Sequence, residues 1–375
     1  MRKIFAQIFV FTASIFIHLV GHANNSFNAV GSDLLYGIGA KGVSLSGAVS
    51  ASSDDVYAIY WNPALLVSNQ KISFGISRQL INSIDHINFI GVSSGAIKLP
   101  GNWGKFALGA GWVARLHVIG KGNFGDDQLE NLFLQFALPA IPPAFDGEIN
   151  SKTRDYRLSL AYSPAQFDKL KLGANFQWIR CVTNFCGVNA SDGDYTVAST
   201  LATAFAINLG TSFEVNSRLR IAVVVKDLHT TLNVETTTTV EGNTQTQDFD
   251  TYFPTDITTG LRWKFSRDLS LSSDLEILRG RYGQHAIGFY LLRSGLSYTQ
   301  GYFQYNLGTL IPLKMNTDNI EDLRTNMPFP FSGSAGVIWD WKYLSIGLAV
   351  YPHAIMSFRN DKMIPSLELS LSTSL

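Results

Sequence analysis

Read from its residues alone, the chain is all-β, a transmembrane antiparallel β-barrel of about 14 strands with an N-terminal hatch in its lumen. Three observations point there. An export signal opens the chain. From Lys71 onward, segments of about ten residues recur in which every second side chain is apolar, the pattern of a strand with hydrocarbon on one side. After the signal, no stretch is long and apolar enough for a spanning helix.

The signal occupies residues 1–23. Arg2 and Lys3 precede an apolar run from Ile4 to Val20, and Gly21 and Ala23 stand at −3 and −1 of a cleavage site. The expected division is therefore signal peptide 1–23, hatch segment 24–70 and barrel 71–375. Among 375 residues, 29 Lys and Arg balance 29 Asp and Glu, and no basic block appears. A nucleic-acid partner is thereby excluded, because phosphate binding needs a concentrated positive face.

The strands justify themselves in order. In LKLGANFQW, Leu170, Leu172, Ala174, Phe176 and Trp178 share one face, opposite Lys171, Gly173, Asn175 and Gln177. In LRIAVVV, Leu219, Ile221, Val223 and Val225 oppose Arg220. From Ile257 to Phe265 the odd positions are apolar or Thr, and Arg262 and Lys264 lie opposite. Arg220, Arg262 and Lys264 must point into the lumen or to an interface, since a cation facing lipid at midplane costs about 2–4 kcal/mol. Further strands start near Ile87, Phe106, Arg157, Ala204, Leu269, Tyr302, Gly333, Leu344 and Leu367, with Trp and Tyr toward their ends.

Joint lengths set the orientation. Short joints near Pro164, Asn216, Arg267 and Asp340 alternate with long ones at 117–151, 182–202, 229–253 and 312–330, as periplasmic turns alternate with outer loops. An even strand count requires 284–300 to be one tall strand, with a bulge around Leu291 and Leu292.

Residues 24–70 break the alternation and are rich in Gly, Ala and Ser. Such backbone at membrane depth belongs inside the lumen, where protein or water satisfies it. The run Gly37 to Ala64, with Gly42, Ala48, Asp54, Asp55 and YWNPA at Tyr60–Ala64, resembles the N-terminal hatch of the FadL superfamily, and is most similar to its PorV-like branch. The resemblance covers about 35 residues specifically and the rest only in architecture. It implies a barrel that passes hydrophobic compounds such as long-chain fatty acids through the outer membrane. The PorV-like branch implies the alternative, an accessory barrel that binds or shuttles secreted proteins in a type IX secretion-like apparatus without transporting. It also implies assembly by the barrel-insertion machinery, although the terminal residue is Leu375 where such barrels usually end on an aromatic.

Several residues follow as site candidates. Asp54 and Asp55 suit ion pairs with Arg220, Arg262 or Lys264, or capping of a short helix. Tyr60, Trp61, Asn62 and Pro63 form a turn that is either a structural hinge or the anchor of a hatch that moves. On the outer side, Leu129, Leu132, Phe133 and Phe136 at helical spacing, then Leu138, Ile141 and Phe145 around prolines, make an unusually apolar loop. Met327, Phe329 and Phe331 lie on the same side. Such a patch marks either capture of a hydrophobic small molecule or a lid packed on its own rim or a protein partner. Cys181 and Cys186 suit a bridged loop in an exported chain, or stay unpaired. No HExxH or GxSxG motif appears, so no enzyme, cofactor or metal is expected. Membrane lipid is the expected surroundings.

Overall fold

A computed structural model of the chain describes residues 28–30, 36–81, 84–124, 145–181, 187–190, 195–228, 230–240, 243–282, 285–318, 321, 331–353, 357 and 364–375. The described strands number nineteen. The first five in chain order are β1 (Asn28–Val30), β2 (Ser73–Ile81), β3 (Ile84–Ser93), β4 (Ile97–Lys98) and β5 (Gly104–Phe124). Next come β6 (Phe145–Pro164), β7 (Leu170–Cys181), β8 (Gly187–Ala190), β9 (Tyr195–Glu214), β10 (Leu219–Leu228), β11 (Thr231–Val240) and β12 (Asn243–Tyr252). The chain finishes with β13 (Thr255–Lys264), β14 (Leu269–Tyr282), β15 (His285–Gln300), β16 (Phe303–Thr317), β17 (Ser332–Trp341), β18 (Leu344–Pro352) and β19 (Pro365–Ser374).

Fourteen of these form the wall: β2, β3, β5, β6, β7, β9, β10 and β13 to β19, each antiparallel to its neighbours. The ring closes where β19 pairs with β2, from Leu367↔Leu80 to Ser374↔Ser73. Closure removes the sheet edge that lipid could not satisfy. The short connections 165–169, 215–218, 265–268, 301–302 and 342–343 gather at one end with the C-terminus, here termed the short-turn end.

Alternation sets the faces. On β6 and β7, Leu158, Leu160, Phe176 and Trp178 are exposed, while Asp155, Arg157, Ser159, Asn175 and Gln177 are buried inside. A water-soluble sheet would place these the other way round, so the outer face is the one that hydrocarbon wets. At the short-turn end Trp103 (71 % exposed), Phe167 (63 %), Tyr302 (62 %), Trp263, Phe265, Trp341 and Tyr343 stand outward, the arrangement of an interfacial aromatic girdle.

Several details differ from the sequence reading. β5, β6 and β9 are 20 or 21 residues long, twice the expected length, so strand fills much of 117–151 and 182–202. Between β10 and β13 the Thr-rich stretch around Thr236–Thr246, expected as a β-prone hairpin outside the membrane, forms the hairpin β11–β12, and β11 pairs onto β9. Residues 285–300 are one strand, but the register shift places the extra residue on the neighbour: Tyr290 faces Lys314, Leu291 faces Pro312, and Leu313 is left between. Pro312 explains the position, because it has no N–H to give to a ladder. Finally, Asn28–Val30, near the start of the 24–70 segment, forms a short strand paired with β5 at His117–Ile119, above the level where β3 and β5 stop pairing at Phe89↔Val113.

Candidate functional site

Residues 36–68 fold by packing small residues around Trp61. Its indole N–H donates to the Ile38 carbonyl at 3.1 Å, and a Cβ on Gly42 would come within 2.6 Å of the ring, so Gly is required there. Asn62 then ties three pieces together. Its amide donates to the Ser50 carbonyl (2.8 Å) and to the Thr211 carbonyl of β9 (3.1 Å), and its Oδ1 accepts from the Ala64 N–H at 3.1 Å, capping the 3₁₀ turn Pro63–Ser68.

This segment reaches strands all round the ring. Tyr57 donates to the Ile76 carbonyl of β2, Ser46 bonds Ser334 of β17, Gly39 N–H donates to Glu368 of β19, and Ser50 N–H donates to Asp274 of β14. Ala64 lies against Gly173 of β7 and Asn62 against Gly210 of β9. Only a segment inside a closed ring can touch strands on opposite sides of it.

Asp54 and Asp55 do different things. Asp54 bridges Arg220 (2.5 Å) and Arg262 (3.1 Å), and Arg220 also meets Glu214, itself paired with Lys171 at 2.7 Å. Burial would raise the Asp54 carboxyl, but Arg220, then Lys41 and Arg262, hold it below the usual value. Asp55 accepts from the Ser53 hydroxyl and the Tyr57 N–H, just ahead of the helix Ala58–Trp61, and burial raises its carboxyl. Lys264 makes no ion pair among the described residues; two positions nearer the turn than Arg262, it emerges exposed at the rim.

Toward the long-loop end the interior divides into two walls. One is charged. Arg115 makes a bidentate pair with Asp227 (3.0 and 2.6 Å), Arg157 and Gln177 converge on Asp155 (2.6 and 2.7 Å), and Lys226 meets Asp256 at 3.0 Å. Aromatic rings cover these cations: Phe253 under Arg115 and Tyr60 under Arg157 and Lys226. The other sector, on β14 to β18, holds a buried apolar cluster, Leu278, Ile287, Phe289, Leu310, Met315 and Tyr351, against Tyr36, Ala40 and Val43 of the N-terminal segment, and the buried Arg293–Glu276 pair (2.5 Å) of β15 and β14 lies beside it. Inward positions of a water-filled barrel are ordinarily polar, so this sector departs from the barrel pattern.

The Arg115–Asp227 pair was not foreseen in the sequence. Both residues sit where the ladder slips, Arg115 between Ala114 and Leu116 and Asp227 between Val225 and Leu228 with φ 54°. Bulges re-aim side chains, and the only trace in the sequence is the break of alternation at Lys226–Asp227. Of the foreseen loop residues, Leu129, Leu132, Phe133, Phe136, Leu138, Ile141, Met327, Phe329 and Cys186 lie outside the described residues. Phe145 and Cys181 are described by backbone only, as strand ends; Phe331 is exposed immediately before β17.

No family model and no curated protein matches the chain. Solved structures do. The toluene transporter TbuX of Ralstonia pickettii superposes with a TM-score of 0.56 at 14% identity, over 91% of this chain and 98% of that one. The Pseudomonas putida toluene transporter TodX gives 0.52 at 13%, over 85% and 93%. A FadL homologue of Pseudomonas aeruginosa gives 0.56 at 11%, over 92% and 99%. At such identities the likeness is one of fold: the chain shares the closed 14-stranded barrel architecture of these structures.

Proposed function

We propose that this FadL-like barrel is an outer-membrane channel for hydrophobic compounds, not an enzyme, with residues 24–70 as its hatch. The observation that carries the reading is the apolar inward wall on β14 to β18, which meets the N-terminal segment at Tyr36, Ala40 and Val43. Polar solutes gain nothing from such a wall. A hydrocarbon does: at about 25 cal/mol per Å², burying roughly 200 Å² of a one-ring compound is worth about 5 kcal/mol before the cost of association. The toluene transporters among the structural relatives support the same class of cargo. Compounds of that size and long-chain fatty acids both fit it, and the charged wall opposite suits a cargo with one polar end.

The hatch role rests on the Asn62–Ala64 turn, wedged against Gly173 and Gly210, and on the Asp54 ion pairs. Passage then needs the segment to shift or the cargo to leave beside it. Native mass spectrometry with solvent extraction of the purified chain tests the reading. A co-purifying apolar molecule that is lost on Phe289→Asp supports it. A stoichiometric protein partner with no apolar molecule would replace it with the PorV-like accessory role.

A further inference from the structure

At the short-turn end, on the far side of the hatch from the apolar wall, lies a cavity of about 640 Å³. Its deep side is charge-balanced: Lys171 meets Glu214, and Arg220 joins Glu214 to Asp54. Its mouth is not. Lys98 of β4 and Lys105 of β5 stand directly opposite each other in a two-residue ladder, Ile97↔Phe106 and Lys98↔Lys105, and both lysines line the cavity while Ile97 is exposed on the outer face.

Like charges directly opposed across a ladder repel, and neither lysine makes an ion pair among the described residues. Asp168 is on the same rim, also without an ion pair. With two cations against the single carboxylate of Asp168, the rim keeps one uncompensated positive charge, and the two ammonium groups side by side over the cavity can serve an anion that accepts from both. Trp103 and Phe167 stand outward on the turns that carry this rim, which sets the mouth at the level of the leaflet's headgroups.

We propose that this cavity binds an anionic phosphate group through Lys98 and Lys105, supplied either by a phospholipid of the periplasmic leaflet or by free phosphate. The site is independent of the hydrophobic channel, whose wall lies beyond the hatch.

The test uses the full chain in nanodiscs of phosphatidylcholine mixed with phosphatidylglycerol, with retained lipids counted by native mass spectrometry, and inorganic phosphate titrated separately. The wild-type protein is expected to retain phosphatidylglycerol preferentially, with occupancy falling at least tenfold in Lys98→Gln/Lys105→Gln and kept in Lys98→Arg/Lys105→Arg. Phosphate binding with the same lysine dependence, and no lipid preference, supports the site with free phosphate as its source. Absence of both preferences in the wild-type protein overturns the proposal without any variant, as does binding that the Gln pair leaves unchanged.

Discussion

Arg115 and Asp227 come from strands far apart in the chain, and each is delivered by a bulge to a place where neither would be tolerated alone. Removing one member strands a buried charge, whereas replacing both leaves an apolar contact. Arg115→Met or Asp227→Leu is therefore expected to lower the unfolding free energy by about 3–5 kcal/mol, and the double variant to recover most of the loss, read from urea unfolding of the detergent-solubilised chain. His353 offers a second check at this scale. Burial lowers its pKa from 6.5 to about 4, so the folded chain holds it neutral. Stability from this site is full above pH 6.5 and falls as the pH drops from there toward 4, because the unfolded chain takes up the proton first. Thermal unfolding at pH 7.5 and pH 5 is expected to show the loss, and His353→Gln to reduce it. The sequence marked Arg220, Arg262 and Asp54 because a charge on an alternating strand, or in a segment bound for the lumen, needs a partner. It could not mark Arg115, since a bulge leaves alternation intact on both sides of one misplaced residue.

At the scale of elements, the wall was legible and the heights of its strands were not. Alternation ends in the sequence where lipid ends, but β5, β6 and β9 continue past that level as paired strand with no hydrocarbon to impose a pattern. The Thr-rich hairpin β11–β12 carries polar residues on both faces, and its Thr content made it legible as a β hairpin outside the membrane, though not its pairing onto β9. The small residues of the N-terminal segment and of the strands beside it have one reason, contact: Gly42 admits Trp61, and Gly173 of β7 and Gly210 of β9 admit the Asn62–Ala64 turn. Gly173→Val is expected to displace that turn, making residues 24–70 cleavable by added protease and raising single-channel conductance in planar bilayers. Unchanged cleavage and conductance in a folded variant would show that the turn does not seal the lumen there. Trp61→Ala, which empties the centre of the segment, is expected to cost about 3–5 kcal/mol in the same unfolding assay.

For the whole molecule, one arrangement carries the functional reading: a ring greasy outside, lined inside by buried ion pairs and, on β14 to β18, by an apolar cluster, and filled by its own N-terminal segment. The outer surface follows from the membrane and is shared by any barrel of this kind. The apolar inner wall does not follow from it, and so its role is the point at which the reading can fail. The direct measurement is uptake of a labelled one-ring hydrocarbon and of a labelled long-chain fatty acid by cells lacking other such barrels, expressing either this chain or its Leu310→Asp variant, with equal amounts of folded protein confirmed by heat-modifiable gel migration. Saturable uptake of at least one compound, lost on Leu310→Asp, is the expected result. Uptake no faster than in cells without the chain, or the same in the variant, would contradict the channel.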